Sequence, residues 1–284
     1  MEPKAIVANV RSIFSLPDVV FKINELINSG KSSNNELEQV ILNDPGLTAK
    51  ILRFSNSAYF GFSRKIDTIS HAIALIGHNE LRNLILASSA TTVFKGVSSD
   101  EFDMESFWHH SVCTGVVARL LAYNVDCRER IFIAGLLHGI GKLILLSQFP
   151  EQAVKILNTD IQDENTIIKT ERKVFGFTSA ELSAEFLNAW DLPKSIWQIV
   201  SAQLTPLSED HFKTDACILY IAIKIATHKQ QYPEKEICGA EIEALCNPAV
   251  WDFLGLDDDI IELLNTVADL QIQEMFHYIK PDND

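Results

Sequence analysis

His110 and His138 are the residues of this chain best suited to chemistry, because two imidazoles brought together from separate helical segments can share a metal ion or a proton. His138 lies in the run Leu136-Leu137-His138-Gly139-Ile140-Gly141-Lys142. The residue after it, Gly139, has no side-chain donor atom. A hydrolytic metal centre needs several convergent ligands, including carboxylates that offset the cation's charge, and open positions for water and a phosphate oxygen. Two neutral imidazoles supply neither the charge nor enough donors. A carboxylate-free zinc site still needs about three or four protein ligands, and the sequence identifies two. Lys142, four residues beyond His138, is the one nearby cation that could face a phosphate.

The other reactive side chains point to no second chemistry. His109 adjoins His110 and leaves a helix about 100° away from it, so the two do not share a ligand. His71 and His78 sit beside helix ends, where capping or exposure is their expected role. Cys113, Cys127, Cys217, Cys238 and Cys246 are widely and irregularly spaced, without a C-x-x-C pair, and are expected to be reduced structural thiols. There is no P-loop, no G-x-G-x-x-G and no G-x-S-x-G elbow. Gly135, Gly139 and Gly141 fall in an apolar helical context, where they let helices approach closely or bend the chain. Glu171, Glu181 and Glu185 read as solvated helix charges.

The elements that must position the histidines are helices. Ser33 and Glu36 make a capping box ahead of an apolar stripe of Leu37, Val40 and Ile41. Asp44-Pro45 starts another helix, continued by Leu47, Ile51 and Leu52. Further helices are expected near 68–76, 79–95, 104–125, 128–147, 150–158, 163–173, 178–190, 193–203, 211–230 and 257–278. Alternating strand patterns and hairpin turns are absent, which predicts an all-α fold. The polar stretch Lys95–Asp100 predicts a seam between an N-terminal helical lobe, 1–97, and a second helical lobe with a C-terminal extension, 98–284. At the helix exit Asn56-Ser57-Ala58-Tyr59-Phe60-Gly61, residues Asn56, Tyr59 and Phe60 are candidates for binding a partner; packing of the aromatics against the turn is the alternative.

Bulk properties narrow the partners. The 284 residues carry a formal charge of −14 and are 47% hydrophobic. Through Cys127 there are 11 Lys and Arg against 13 Asp and Glu, a balance of −2; from Arg128 the balance is 13 against 25, or −12. That second part repels polyanions, and no Lys/Arg run offers a local basic patch, so nucleic acid is not expected as a partner. The longest apolar stretch, near Ile131–Leu146, is interrupted by His138 and Lys142, so no membrane span is expected. The start Met1-Glu2-Pro3-Lys4 lacks a secretory pattern. A cytoplasmic location is the expectation.

Ordered segments along the chain resemble the HDOD family, HD-related output domains of bacterial signalling proteins. They are Leu16-Pro17, Asn43-Asp44-Pro45-Gly46-Leu47-Thr48, Asn56–Gly61, Ile69 with Ala72-Ile73 and Leu75-Ile76-Gly77, and Leu81-Arg82-Asn83-Leu84. Phe107-Trp108-His109-His110-Ser111, Ala134–His138, Ile140-Gly141-Lys142, Glu171, Phe175-Gly176-Phe177, Trp190 and Leu192-Pro193 follow in order. The resemblance covers about residues 15–230. HD phosphohydrolases hold metal through an upstream histidine, a His-Asp pair and a distal aspartate. The resemblance puts His110 and His138 at the two histidine positions, Gly139 in place of the aspartate, and Ser179 and Gln203-Leu204 at further histidine positions. It puts Ile223 at the distal aspartate. It therefore implies a vestigial metal site and a non-catalytic bacterial signal-transduction module acting in trans through contacts with signalling proteins, without a cofactor. The alternative is a metal-dependent phosphohydrolase or phosphodiesterase acting on a nucleotide or cyclic dinucleotide, with a divalent metal at His110 and His138; a pocket that binds a nucleotide without cleaving it is a third reading.

Overall fold

The computed structural model describes residues 2–30, 33–57, 60–97, 102–122, 128–157 and 164–279. Among these the regular structure is helical. Helices α1 (Pro3–Val10), α2 (Asp18–Asn28), α3 (Asn34–Leu42), α4 (Pro45–Ser55), α5 (Ile69–Ile76) and α6 (His78–Val93) come first. They are followed by α7 (Met104–Leu121), α8 (Arg128–Leu137), α9 (Ile140–Gln148), α10 (Pro150–Leu157), α11 (Glu164–Phe175) and α12 (Ser179–Ala189). The chain ends with α13 (Lys194–Ser201), α14 (Lys213–Gln231), α15 (Gly239–Leu245), α16 (Pro248–Leu254) and α17 (Asp258–Ile279). A single 3-10 turn, Pro206–Ser208, links α13 to α14. The all-α class expected from periodicity is the observed one.

The chain divides into two compact units, Met1–Ser15 with Gly96–Ala268, and Leu16–Lys95 with Asp269–Asp284. The expected seam at 97/98 lies beside one of these boundaries, but each terminus belongs with the unit on the far side of it. Physically, α1 packs on α12, the Phe14 ring meets Phe186 edge-on at 6.4 Å, and Trp190 Nε1 donates to the Phe14 carbonyl at 2.9 Å. In the other unit, Thr91 Oγ1 donates to the Ile279 carbonyl at 2.8 Å and the Phe54 and Tyr278 rings lie 5.6 Å apart.

Within the smaller unit, local chemistry sets the helix starts. Glu36 N donates to Ser33 Oγ at 3.2 Å while Ser33 N donates to Glu36 Oε2 at 2.9 Å, so two otherwise orphaned amides are satisfied together. Asp44 accepts from Leu47 N at 2.9 Å, and Pro45 occupies the first turn, where no N–H is needed. Leu37, Val40, Ile41, Leu47 and Ile51 are buried as their spacing predicts, each contributing about 1.5–3 kcal/mol.

The larger unit is organised by close crossings. A Cβ on Gly135 of α8 would lie 2.7 Å from Gly115 Cα, so α7 and α8 meet backbone to backbone where two glycines face each other. Four helices, α1, α2, α15 and α16, go beyond those expected from the sequence. The last two span only seven residues and bury one apolar side chain apiece, Ile242 and Val250, too little to make a periodic signal.

The predicted helix 128–147 is in fact two, α8 and α9, interrupted at His138-Gly139. Gly141 N donates to Ser183 Oγ at 2.8 Å, and Lys142 N donates to the Gly139 carbonyl at 2.9 Å. The His138 carbonyl thus accepts from Ser183 Oγ at 2.8 Å and Gln203 Nε2 at 3.1 Å, and helical continuity is exchanged for bonds to α12 and the end of α13. The stretch Arg130–Gln148 is long and apolar enough to cross a membrane by composition, but 83% of it is buried inside the protein, where it forms core.

Candidate functional site

The two histidines meet. His110 projects from α7 and His138 from the α8–α9 break, with ring centroids 5.5 Å apart and planes tilted by 50°. His138 is 4% exposed, and its Nδ1 lies 2.6 Å from the Gly135 carbonyl. A carbonyl can only accept, so Nδ1 carries the hydrogen and Nε2 keeps its lone pair. His110 Nε2 lies 3.2 Å from Thr227 Oγ1 of α14, whose hydroxyl donates to the Ile223 carbonyl at 2.9 Å. That hydroxyl hydrogen being spent, His110 Nε2 is the donor and Nδ1 the free lone pair. Each imidazole is therefore held as a neutral tautomer by one backbone or hydroxyl partner.

Electrostatics keep them neutral. Burial, with the positive charge of Lys142 adding to it, pushes the His138 pKa down to about 4. Burial likewise lowers His110 well below the ordinary histidine value, followed by the charges of His138, Lys142 and His109. Lys142 is half-buried and its pKa is lowered by desolvation, while the carboxylate of Glu171 acts in the opposite direction. Glu171 corrects the expectation of a solvated charge: it is 2% exposed and accepts from Ser179 N and Ser179 Oγ, both at 2.7 Å. A buried carboxylate is tolerable only with such bonds and a nearby cation. Glu181 is the N3 member of a second capping box, with Thr178, and pairs with Arg172 at 2.7 Å.

A divalent cation does not fit these residues. The described residues contain no grouping of three or more His, Cys, Asp and Glu able to hold one. Beside His138, a Cβ on residue 139 would meet the Phe107 ring at 3.0 and 3.2 Å, so that ring occupies the direction a carboxylate would take. Ser179 is engaged by Glu171, Gln203 by the His138 carbonyl, and the Lys142 ammonium opposes another cation beside the imidazoles. Thr227, one helical turn beyond Ile223, is the α14 side chain that reaches His110. Neither its role nor that of Phe107 was legible in the sequence, since both depend on contacts between α7 and distant segments.

The candidate partner residues fare differently. The Asn56 amide is used internally: Nδ2 donates to the Leu52 and Ile66 carbonyls at 2.7 Å and Oδ1 accepts from Ile66 N at 2.7 Å, clamping the loop after α4. Phe60 is half-buried, 6.2 Å from the Phe54 ring and stacked on Phe62 at 5.6 Å. Tyr59 lies outside the described residues.

Comparison with known proteins agrees with this architecture. A protein of Treponema pallidum (strain Nichols), itself uncharacterized, is 28% identical over 199 residues, 68% of this chain; the match spans 37% of that protein's length. A solved candidate phosphohydrolase from Shewanella amazonensis SB2B shares the fold with a TM-score of 0.75 at 23% identity, covering 97% of this chain and 98% of that one. An HDOD domain protein of unknown function from Geobacter sulfurreducens superposes with a TM-score of 0.69 at 20% identity, covering 96% and 97%. A candidate signal-transduction protein from Marinobacter aquaeolei VT8 gives 0.70 at 19% identity over 94% of this chain and 60% of that one. The HDOD domain profile itself matches residues 13–206. With the matching profile spanning more than half of its length, the chain belongs to the HDOD family.

Proposed function

We propose that the protein is a non-catalytic signalling or regulatory module that works through contacts with other proteins in trans. The observation that carries this reading is the makeup of the histidine pair. Two neutral imidazoles stand beside an ammonium, with an aromatic ring where a ligating carboxylate would go and the buried carboxylate of Glu171 bound to Ser179. Such a cluster has hydrogen-bonding capacity but lacks the carboxylate ligands of a metal centre that activates water. The reading is tested by turnover of bis(p-nitrophenyl) phosphate and of a cyclic dinucleotide in the presence of Mn²⁺, Mg²⁺ or Zn²⁺. No hydrolysis above the His138→Ala background is expected, and hydrolysis that vanishes in His138→Ala overturns the proposal.

The competing reading is a phosphohydrolase. In its favour, Lys142 lies near two imidazoles that each keep a lone pair, a composition able to meet a phosphate ester. It requires bound metal. Elemental analysis of protein purified without chelator separates the readings, and less than about a tenth of an equivalent of transition metal removes the second.

A further inference from the structure

The larger unit contains a cleft of about 390 Å³ bordered by α11, α12, α13 and the Pro206–Ser208 turn. We infer that it receives the side chain of an arginine or lysine from a partner protein. The charged residues lining it are Arg172, Glu181 and Glu209. Arg172 Nη2 is already paired with Glu181 Oε1 at 2.7 Å, so the remaining charge is the negative one of Glu209. Glu209 is half-buried, and its Oε1 accepts from His211 N at 2.9 Å and Phe212 N at 3.3 Å. These bonds fix the carboxylate while its second oxygen has no partner among the described residues.

Two further groups suit the same occupant. Gln198 Oε1 is buried in the wall of the cleft without a donor. A buried acceptor left unmatched is costly, and a turn of the Gln198 amide toward the cleft would let a guanidinium or ammonium supply the missing hydrogen. Trp197, half-buried, lines the same wall, and an aromatic ring is a suitable neighbour for a cation. The sign of the surroundings agrees, because residues 128–284 carry −12 of the −14 total. An anionic ligand such as a phosphate would meet this charge with no free cation in the cleft to hold it. The volume accommodates one long side chain rather than a folded segment, so the cleft is a specificity pocket within a wider contact.

The inference deepens the reading of the protein as a contact module and rests on it. The two fail separately, because hydrolytic turnover tests the module reading and occupancy of the cleft tests the pocket. The experiment follows the Trp197 indole and Gln198 side-chain NMR signals of the full chain, assigned with Trp197→Phe and Gln198→Met. The probe is a short Gly/Ser peptide with one arginine; controls are the same peptide with citrulline, and free L-arginine. Saturable shifts with the arginine peptide are expected, at least about fivefold tighter than with citrulline or free arginine, and weakened about fivefold or more by Glu209→Gln. Equal binding of the citrulline peptide, tighter binding of free arginine, no effect of Glu209→Gln in protein whose remaining spectrum is unchanged, or no saturable shift by about 10 mM peptide each overturns it.

Discussion

At residue 139, glycine and the Phe107 ring are complementary, so the site cannot be repaired by one substitution. Gly139→Asp places a Cβ about 3 Å from an aromatic ring and puts a carboxylate against that ring. A loss of roughly 1–3 kcal/mol in urea unfolding is expected, partly relieved by Phe107→Ala, with no gain of metal in either variant. Full stability of Gly139→Asp, or stoichiometric metal uptake by it, would contradict this account. The imidazole of His138 makes a second prediction. Its folded pKa of about 4 lies below the ordinary 6.5. Between those values the unfolded chain binds a proton that the folded protein refuses. Stability therefore falls as pH drops from about 7 towards 4, by an amount on the order of 3 kcal/mol for this group, and its contribution is constant below that. Urea midpoints measured across this window for the wild type and His138→Gln should differ in slope, the variant being flatter. Parallel curves would show that His138 is not held neutral.

The α8–α9 break shows what a helix can lose when side chains from elsewhere satisfy its backbone. Ser183 both accepts from Gly141 N and donates to the His138 carbonyl, and Gly141 permits this approach because a Cβ there would lie 2.1 Å from the Ser179 carbonyl. Gly141→Ala should cost about 3 kcal/mol or more, and Ser183→Ala about 1–3 kcal/mol through the unmatched amide, both read from denaturant unfolding. A neutral Gly141→Ala would mean that α9 and α12 can separate freely. The same element marks where sequence reasoning stops. Capping at Ser33–Glu36 and Asp44–Pro45 was legible because donor and acceptor lie within four residues. The break at His138-Gly139 was not, because its partners Ser183 and Gln203 lie 45 and 65 residues away and an apolar run carries no sign of them. Glu171 was misread for the same reason: its burial depends on Ser179 and Lys142, not on its own helix's pattern. The pairing of His110 with His138 was legible as two motif positions, whereas the ring filling the space beside Gly139 was not.

At the scale of the whole chain, the path of the backbone matters more than its division into halves, because each compact unit contains one chain terminus borrowed from the other end of the sequence. Residues Ile272, Met275 and Ile279 of α17 are buried, Ile279 supplies the acceptor for Thr91 Oγ1, and Tyr278 packs by Phe54. These contacts all serve the unit built from α2 to α6. Ending the chain after Ala268 would remove three buried apolar side chains, each worth about 1.5–3 kcal/mol, and leave the Thr91 hydroxyl with only the Ser88 carbonyl at 2.9 Å. The loss is of the same order as the stability of an average domain. Truncation should therefore abolish slow amide exchange in α4 and α6 while α7, α8 and the His110–His138 contact keep theirs, a difference read directly by hydrogen exchange with mass spectrometry. Uniform loss across both units would mean that they unfold as one cooperative body, and uniform retention that the end of α17 contributes nothing to the unit it joins.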